Sequence, residues 1–175
     1  MNLEKIGAGK NAPEEINVII EVPMGSDPVK YEFDKEMGII AVDRFVQTSM
    51  FYPCNYGFVP NTLSKDGDPV DVLVIANYPI IPGALIKVRP IGVLIMEDES
   101  GQDEKVLAVP TLKLDPYYAN IKSYKDLPEI FIDRIRNFFE NYKALEKGKW
   151  VKVQGWEDES SAKAVIIEGI ELAKK

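Results

Sequence analysis

The chain has 175 residues and a formal net charge of −7, with 46% apolar and 28% charged residues. That length supports one domain with a good core, spanning residues 1–175, and is too short for two; the surplus of acid argues against nucleic acid as the main partner, because a phosphate backbone is held by surplus Lys and Arg. There is no histidine, which excludes a Ser-His-Asp triad, a Cys-His pair and any His-ligated metal site.

Strand signals fill the first two thirds. The run "NVIIEVP" (17–23) is β-branched and apolar and stops at Pro23. After the turn cluster "GSDP", the segment "VKYEFD" (29–34) alternates, with Val29, Tyr31 and Phe33 on one face and Lys30, Glu32 and Asp34 on the other. "GIIAVDRFV" (38–46) continues the pattern. "MFYPCNYGFVP" (50–60) is aromatic and broken by Pro and Gly, so a bent strand or structured loop is expected there. "VDVLVIA" (70–76) reads as a buried strand, "ALIKVRPIGVLIM" (84–96) as a long one with a bend or bulge at Pro90 and Gly92, and "EKVLAVP" (104–110) as another. From Pro128 the apolar positions change period: Phe131, Ile135, Phe138, Phe139, Tyr142 and Leu145 form a helical stripe, with Pro128 in the first turn and Gly148 as the stop. "WVKVQGW" (150–156) is a short strand and 159–175 a final amphipathic helix. Many short strands followed by two helices predict an α+β domain, a small β-barrel with helices packed outside it.

No apolar run approaches the ~20 residues that cross a bilayer, and the first ten residues hold no stretch of signal-peptide length. The single cysteine, Cys54, has no intrachain partner and suits a reducing compartment. A soluble cytoplasmic protein without a membrane partner is therefore expected. Without histidine, and with one cysteine, an enzyme of this composition works with carboxylates, Lys, Arg and Tyr; oxygen ligands select a hard metal, Mg²⁺, Mn²⁺ or Ca²⁺.

The stretch "DGDPVD" (66–71) sets Asp66, Asp68 and Asp71 within six positions. Asp-Gly and Asp-Pro are ordinary turn chemistry and account for Asp66 and Asp68 as a solvated turn. They do not account for Asp71, which stands between Val70 and Val72 at the start of an apolar strand, where a carboxylate needs a cation or dedicated donors. An EF-hand does not fit, since Asp71 occupies the position of its glycine and Asn77 that of its closing glutamate. The loop reads as a metal loop of another kind. A second acidic turn, "EDESGQDEK" (97–105), carries Asp98 and Asp103 around Ser-Gly. By itself it is an exposed hairpin tip; if it meets the first loop at one barrel mouth, the pooled carboxylates bind several cations. Lys30, Arg44 and Lys143 taken singly are surface charges, and Tyr56 and Tyr142 core residues. "GAGK" (7–10) lacks the spacing, the Ser/Thr and the preceding strand of a phosphate-binding loop. Phe51, Tyr52, Tyr56 and Phe58 could stack on bases but at this net charge are expected inside the barrel.

"DGDPVDV" (66–72) resembles the Asp-x-Asp-Pro-x-Asp-x signature of soluble family I inorganic pyrophosphatases. "IEVPMGSDPVKYEFD" (20–34), "VDRF" (42–45), "YPCNYGFVPNT" (52–62), "EDESGQDEKVLAVP" (97–110) and "FFENYKALEKGKWVKVQGW" (138–156) resemble further blocks of that family, in its order. The resemblance covers essentially the whole chain, and the length is similar to that of the short prokaryotic form. It implies a closed five-stranded OB-like barrel with additional short strands and two flanking C-terminal helices, and Mg²⁺-dependent hydrolysis of pyrophosphate to two orthophosphates. Carried over by position, Asp66, Asp71 and Asp103 would bind a first metal, Asp71 also a second, and Asp98 with Asp103 a further ion that arrives with substrate. Glu32 would act on a metal through water, with Mn²⁺ a substitute for Mg²⁺. Asp68 would accept the proton of the attacking water. Lys30, Arg44, Tyr56, Lys105, Tyr142 and Lys143 would grip phosphate oxygens, and Glu21 would line the site. A homohexamer is implied by the same resemblance. The competing reading is a non-catalytic OB-like module that holds divalent cations or an oligonucleotide; orthophosphate release separates the two.

Overall fold

The computed structural model describes residues 3–174. Among them, β1 (Ile16–Val22), β4 (Asn55–Phe58), β5 (Asp71–Val74), β6 (Leu85–Asp98), β7 (Gly101–Gln102), β8 (Lys105–Pro110) and β9 (Val151–Glu157) form one seven-stranded sheet, and β2 (Val29–Asp34) with β3 (Ile39–Phe45) a separate hairpin. Pairing runs from β1 to β4, β5, β8 and β6, and β6 returns to β1, so five strands are hydrogen-bonded in a ring. All five pairings are antiparallel except that of β5 with β8. Helix α1 spans Glu129–Asn141 and α2 Glu159–Leu172.

The central strands read as unbroken apolar runs because both of their faces are buried. Val72, Val74, Val106 and Ala108 pack in one cluster with Ala162 and Ile166 of α2. Their neighbours Leu73, Leu107 and Val109 face the other way, into a cluster with Ile135, Phe138 and Phe139 of α1. The long strand β6 serves both clusters and pairs with four strands, β1, β7, β8 and β9, and the expected irregularity at Pro90 and Gly92 is present as a register shift against β8. Gly57 is required by space rather than by backbone angle: a Cβ there would lie 2.0 Å from the Ile19 carbonyl oxygen across the β1–β4 pairing.

Three local expectations are corrected. Helix α1 ends at Asn141, not near Gly148. Beyond it the chain turns tightly, with Ala144, Glu146 and Lys149 each donating to the carbonyl three residues back, and Leu145 is exposed rather than part of the stripe. This unwound stretch carries Lys143, Glu146 and Lys149, whose ion pairs are described below. Phe51 points outward, while Tyr52, Tyr56 and Phe58 are buried as expected. Helix α2 ends at Leu172, short of the expected 175; residue 175 itself lies outside the described residues.

Gly57→Ala should cost ~3 kcal/mol, at the upper end for overpacking into backbone. At this chain length that is a melting temperature roughly 6–12 °C lower, to be read by circular dichroism; an unchanged melting curve would contradict the close approach of β1 and β4.

Candidate active site

The parallel register of β5 and β8 sets Asp71 beside Lys105. Asp103 precedes Lys105 by two residues and so shares its face, as side chains alternate along an extended chain. The Lys105 ammonium bonds both carboxylates, Asp71 and Asp103. Burial would lower its proton affinity, but the two acids outweigh burial and hold it well above the ordinary lysine value. Asp71 thus has the cation that its place on an apolar strand requires. Farther along, the same face carries Leu73 and Leu107 of the α1 cluster, so the charges sit at the rim of an apolar core.

The 66–71 loop is shaped by its own side chains. The Asp68 amide donates to Asp66 Oδ1 at 3.0 Å, the Ser64 amide to the Asp68 carbonyl at 2.6 Å, and Gly67 takes φ +93°, in the left-handed region. At its end the Val70 amide donates to Thr62 Oγ1 at 2.9 Å. Asp68 is exposed, and its Oδ1 meets the Lys35 ammonium at 3.1 Å.

Hairpin β2–β3 brings Lys30 opposite Arg44 in register, with a bulge that leaves Asp43 beside both. Asp43 Oδ2 accepts from Arg44 Nη1 at 2.7 Å and stands 3.5 Å from Lys30 Nζ; Lys30 also pairs with Glu32. Arg44 Nε reaches Glu146 at 3.3 Å. Glu21, near the end of β1, accepts from the Phe33 amide at 2.7 Å and so ties the hairpin to the ring. Burial pushes its carboxyl up to about 8, against the lowering effect of that hydrogen bond.

The second acidic turn is the β6–β7 tip, and Asp98 and Asp103 in it are buried. Asp98 Oδ2 accepts from Lys143 Nζ at 2.6 Å. Glu99 links Lys143, at 3.5 Å, to Lys149, at 2.6 Å; burial would raise its carboxyl, but the Lys149 hydrogen bond and neighbouring donors bring it to about 2. Tyr56 and Tyr142 are buried, and burial raises both phenols well above their usual range, so each keeps its O–H as a donor.

A cavity of about 590 Å³ gathers these groups. It is lined by Glu21, Lys30, Glu32, Arg44, Tyr56, Asp66, Asp68, Asp71, Lys105, Tyr142 and Lys143, all of them named from the sequence. Asp98 and Asp103 do not line it; they stand behind Lys143 and Lys105. Tyr52, read from the sequence only as a core aromatic, also lines it, as do Lys35, Glu99 and Lys149; these three were not singled out by sequence reading, nor were Asp43 and Glu146, which hold Arg44. Asp43 adjoins Arg44 in "VDRF", and Glu146 and Lys149 fall within "EKGKW"; proximity to the quoted blocks was the available signal.

Among the described residues no group of three or more Asp, Glu or Cys side chains stands assembled to hold a metal ion. The donor chemistry nevertheless fits a hard cation, since Asp66, Asp68 and Asp71 offer carboxylate oxygens to one cavity. Several acids are instead occupied by ammonium groups of the chain itself.

The fold is an α+β ring of strands whose rim brings carboxylates together with Lys, Arg and Tyr donors in one cavity. The inorganic pyrophosphatase family matches residues 18–174. Relatives named inorganic pyrophosphatase include one from Rickettsia conorii, 63% identical and covering 98% of each chain. Another, from Mesorhizobium japonicum, is 59% identical over 100% of this chain and 99% of its own. The crystal structure of inorganic pyrophosphatase from Thermus thermophilus superposes with a TM-score of 0.95 at 45% identity over the full length of both chains. A structure from Anaplasma phagocytophilum, described as an inorganic phosphatase, gives 0.96 at 60% identity, covering 98% of this chain and 100% of that one. The chain belongs to the inorganic pyrophosphatase family.

Because the folded value of Glu21 lies above the ordinary 4.5, its contribution to stability is intact below that value and is lost as pH rises toward about 8. Glu21→Gln keeps an acceptor for Phe33 without an ionisable group. In urea unfolding with chelator present, the variant should gain on the wild type by on the order of a few kcal/mol between about pH 5 and 8. Parallel curves would show that Glu21 is not buried as a neutral acid.

Proposed function

We propose that the cavity hydrolyses inorganic pyrophosphate to two orthophosphates in a Mg²⁺-dependent reaction with Asp68 as proton acceptor. Family membership makes the chain an enzyme, an inorganic diphosphatase. The observation that carries the site assignment is the convergence of Asp66, Asp68 and Asp71 with Lys30, Arg44, Lys105 and Lys143 on one cavity. A cation-binding or oligonucleotide module does not account for that pairing of acids with anion-binding groups, and the net charge disfavours an oligonucleotide.

Asp66, Asp71 and Asp103 would hold a first Mg²⁺, with Asp71 shared by a second, Asp98 and Asp103 contributing to a further one, and Glu32 reaching a metal through water; Mn²⁺ has the same ligand preference. When bound, such ions neutralise phosphate charge and lower the pKa of water toward neutrality. The remaining work falls to the chain. Lys30, Arg44, Lys105 and Lys143 bind the phosphate oxygens and stabilise charge that moves onto the leaving group. The Tyr56 and Tyr142 hydroxyls, kept protonated by burial, donate to the same anion. Asp68 is exposed and pairs through Oδ1 with the equally exposed Lys35 at 3.1 Å, a weak solvent-screened contact, so its carboxylate is accessible to take a proton from water attacking phosphorus. The pairing ring of β1, β4, β5, β8 and β6 supports a closed OB-like barrel, and the chain is read as one domain. A homohexamer in the cytoplasm belongs to the same proposal; exposed Ile39, Val42 and Phe45 offer apolar surface for contacts between subunits, and no helix among the described residues is long and apolar enough to cross a membrane.

The wild type should release orthophosphate from pyrophosphate with Mg²⁺ and stop with excess chelator. Asp68→Asn should lower kcat by ~10²-fold or more while Mn²⁺ binding by calorimetry persists; near-normal turnover would remove Asp68 from the role. Asp71→Ala should weaken Mn²⁺ binding and lower the melting temperature, since Lys105 would lose a buried partner.

A further inference from the structure

Lys105 is placed by sheet register rather than by a flexible reach. It begins β8 beside Asp71, its side chain is 5% exposed, and its ammonium bonds Asp71 and Asp103 at once. The Tyr56 ring lies 5.7 Å away. Asp71 and Asp103 are two of the three acids read above as the first metal's ligands. The third, Asp66, is bonded instead to the Asp68 amide at 3.0 Å. An ammonium and a divalent cation cannot both take the same oxygens of two carboxylates.

We propose that Lys105 is an internal stand-in for the metal: in the metal-free protein its ammonium keeps Asp71 and Asp103 together, and it gives up these carboxylates when a divalent cation takes them. The inference rests on the metal reading of Asp71 and Asp103 under Proposed function. Without a cation between them, two acids on one buried face would repel each other and splay. With Lys105 there, the pair stays assembled and closed to cations that bind too weakly to displace it. Lys105 lines the cavity, so its ammonium, once released, is available to the anion. Metal binding and anion binding are then linked, each raising the affinity for the other. Arg44 has no such part, because its partners are Asp43 and Glu146, which the metal reading leaves out.

Mn²⁺ alone, without phosphate, is the probe. By calorimetry, Lys105→Met should bind Mn²⁺ roughly five-fold tighter than the wild type or more. Arg44→Met, which also removes a positive charge from the cavity, should change the affinity by less than about two-fold. Metal-free Lys105→Met should melt below the wild type and recover with saturating Mn²⁺. Unchanged or weaker Mn²⁺ binding, an equal gain in Arg44→Met, or a melting deficit of the same size with and without Mn²⁺ each overturns the inference. Should Lys105→Met not fold, the wild type labelled with ¹⁵N at lysine answers by NMR. The Lys105 ammonium signal should shift on Mg²⁺ titration, and an unmoved signal at saturation overturns the proposal. The two readings fail separately. Wild-type protein that binds Mn²⁺ but releases no orthophosphate removes the hydrolase reading alone; a hydrolysing wild type with no gain in Lys105→Met removes the stand-in alone.

Discussion

Burying charge in this fold takes a counter-charge close by, and the parallel pairing of β5 with β8 delivers one through strand register alone. Parallel register makes Asp71 and Lys105 neighbours, and the two-residue period adds Asp103 to the same face. Slipping either strand by one position would turn its charged side chains into the packing against α2 and bring valines to the cavity. The apolar residues farther along this face, Leu73 and Leu107, are buried against α1, and that burial holds the register. Core packing and site chemistry are therefore two ends of the same strands. The hydrophobic effect sets where the acids stand, and electrostatics sets which of them can be left without a cation.

Around this fixed pair the remaining charged groups come from segments with little in common along the chain. Lys30 and Arg44 sit on a hairpin outside the main sheet, joined to the ring through the Glu21–Phe33 hydrogen bond and reaching the unwound stretch after α1 through Glu146. Lys143 and Lys149 lie on that unwound stretch and grip the β6–β7 tip through Asp98 and Glu99. Ion pairs of this kind contribute little when exposed and more when buried and well formed. Lys35 with Asp68 is of the first kind and Lys143 with Asp98 of the second, which ranks the β6–β7 tip as firmly held and the 66–68 turn as the more adaptable wall.

The strands were legible because burial on both faces leaves unbroken apolar runs, and the Pro90–Gly92 bend because both residues disrupt a ladder. The carboxylates were legible because three acids before an apolar strand are costly without a use. What escaped notice was the set of partners: Lys35, Asp43, Glu99, Glu146 and Lys149. A charged residue on a loop reads the same whether it is solvated or paired across more than a hundred positions, as Arg44 and Glu146 are. The end of α1 escaped for a related reason. Leu145 continues the helical period, but Lys143 and Glu146 are held by partners on other elements, and the chain follows those contacts rather than the stripe. Sequence period reports where a helix could continue; tertiary ion pairs helped to decide where this one stopped.

The crowd of acids is less uniform than its composition suggests. Glu21, buried and pushed to about 8, is mostly neutral near pH 7 and adds little to the repulsion. Asp71, Asp103 and Asp98 are matched by buried lysines. Asp66 and Asp68 stand at the solvent side and are held mainly by their own loop, with Lys35 at a partly exposed distance. The negative potential felt by an approaching cation therefore comes chiefly from this turn, while the deeper carboxylates are screened by their lysines. Such an arrangement presents carboxylate oxygens to a divalent cation at the surface and cationic groups to a polyanion within. A chain with net charge −7 can in this way hold an anionic substrate without surplus basic residues: the attraction is local, built from Lys30, Arg44, Lys105 and Lys143 on one cavity.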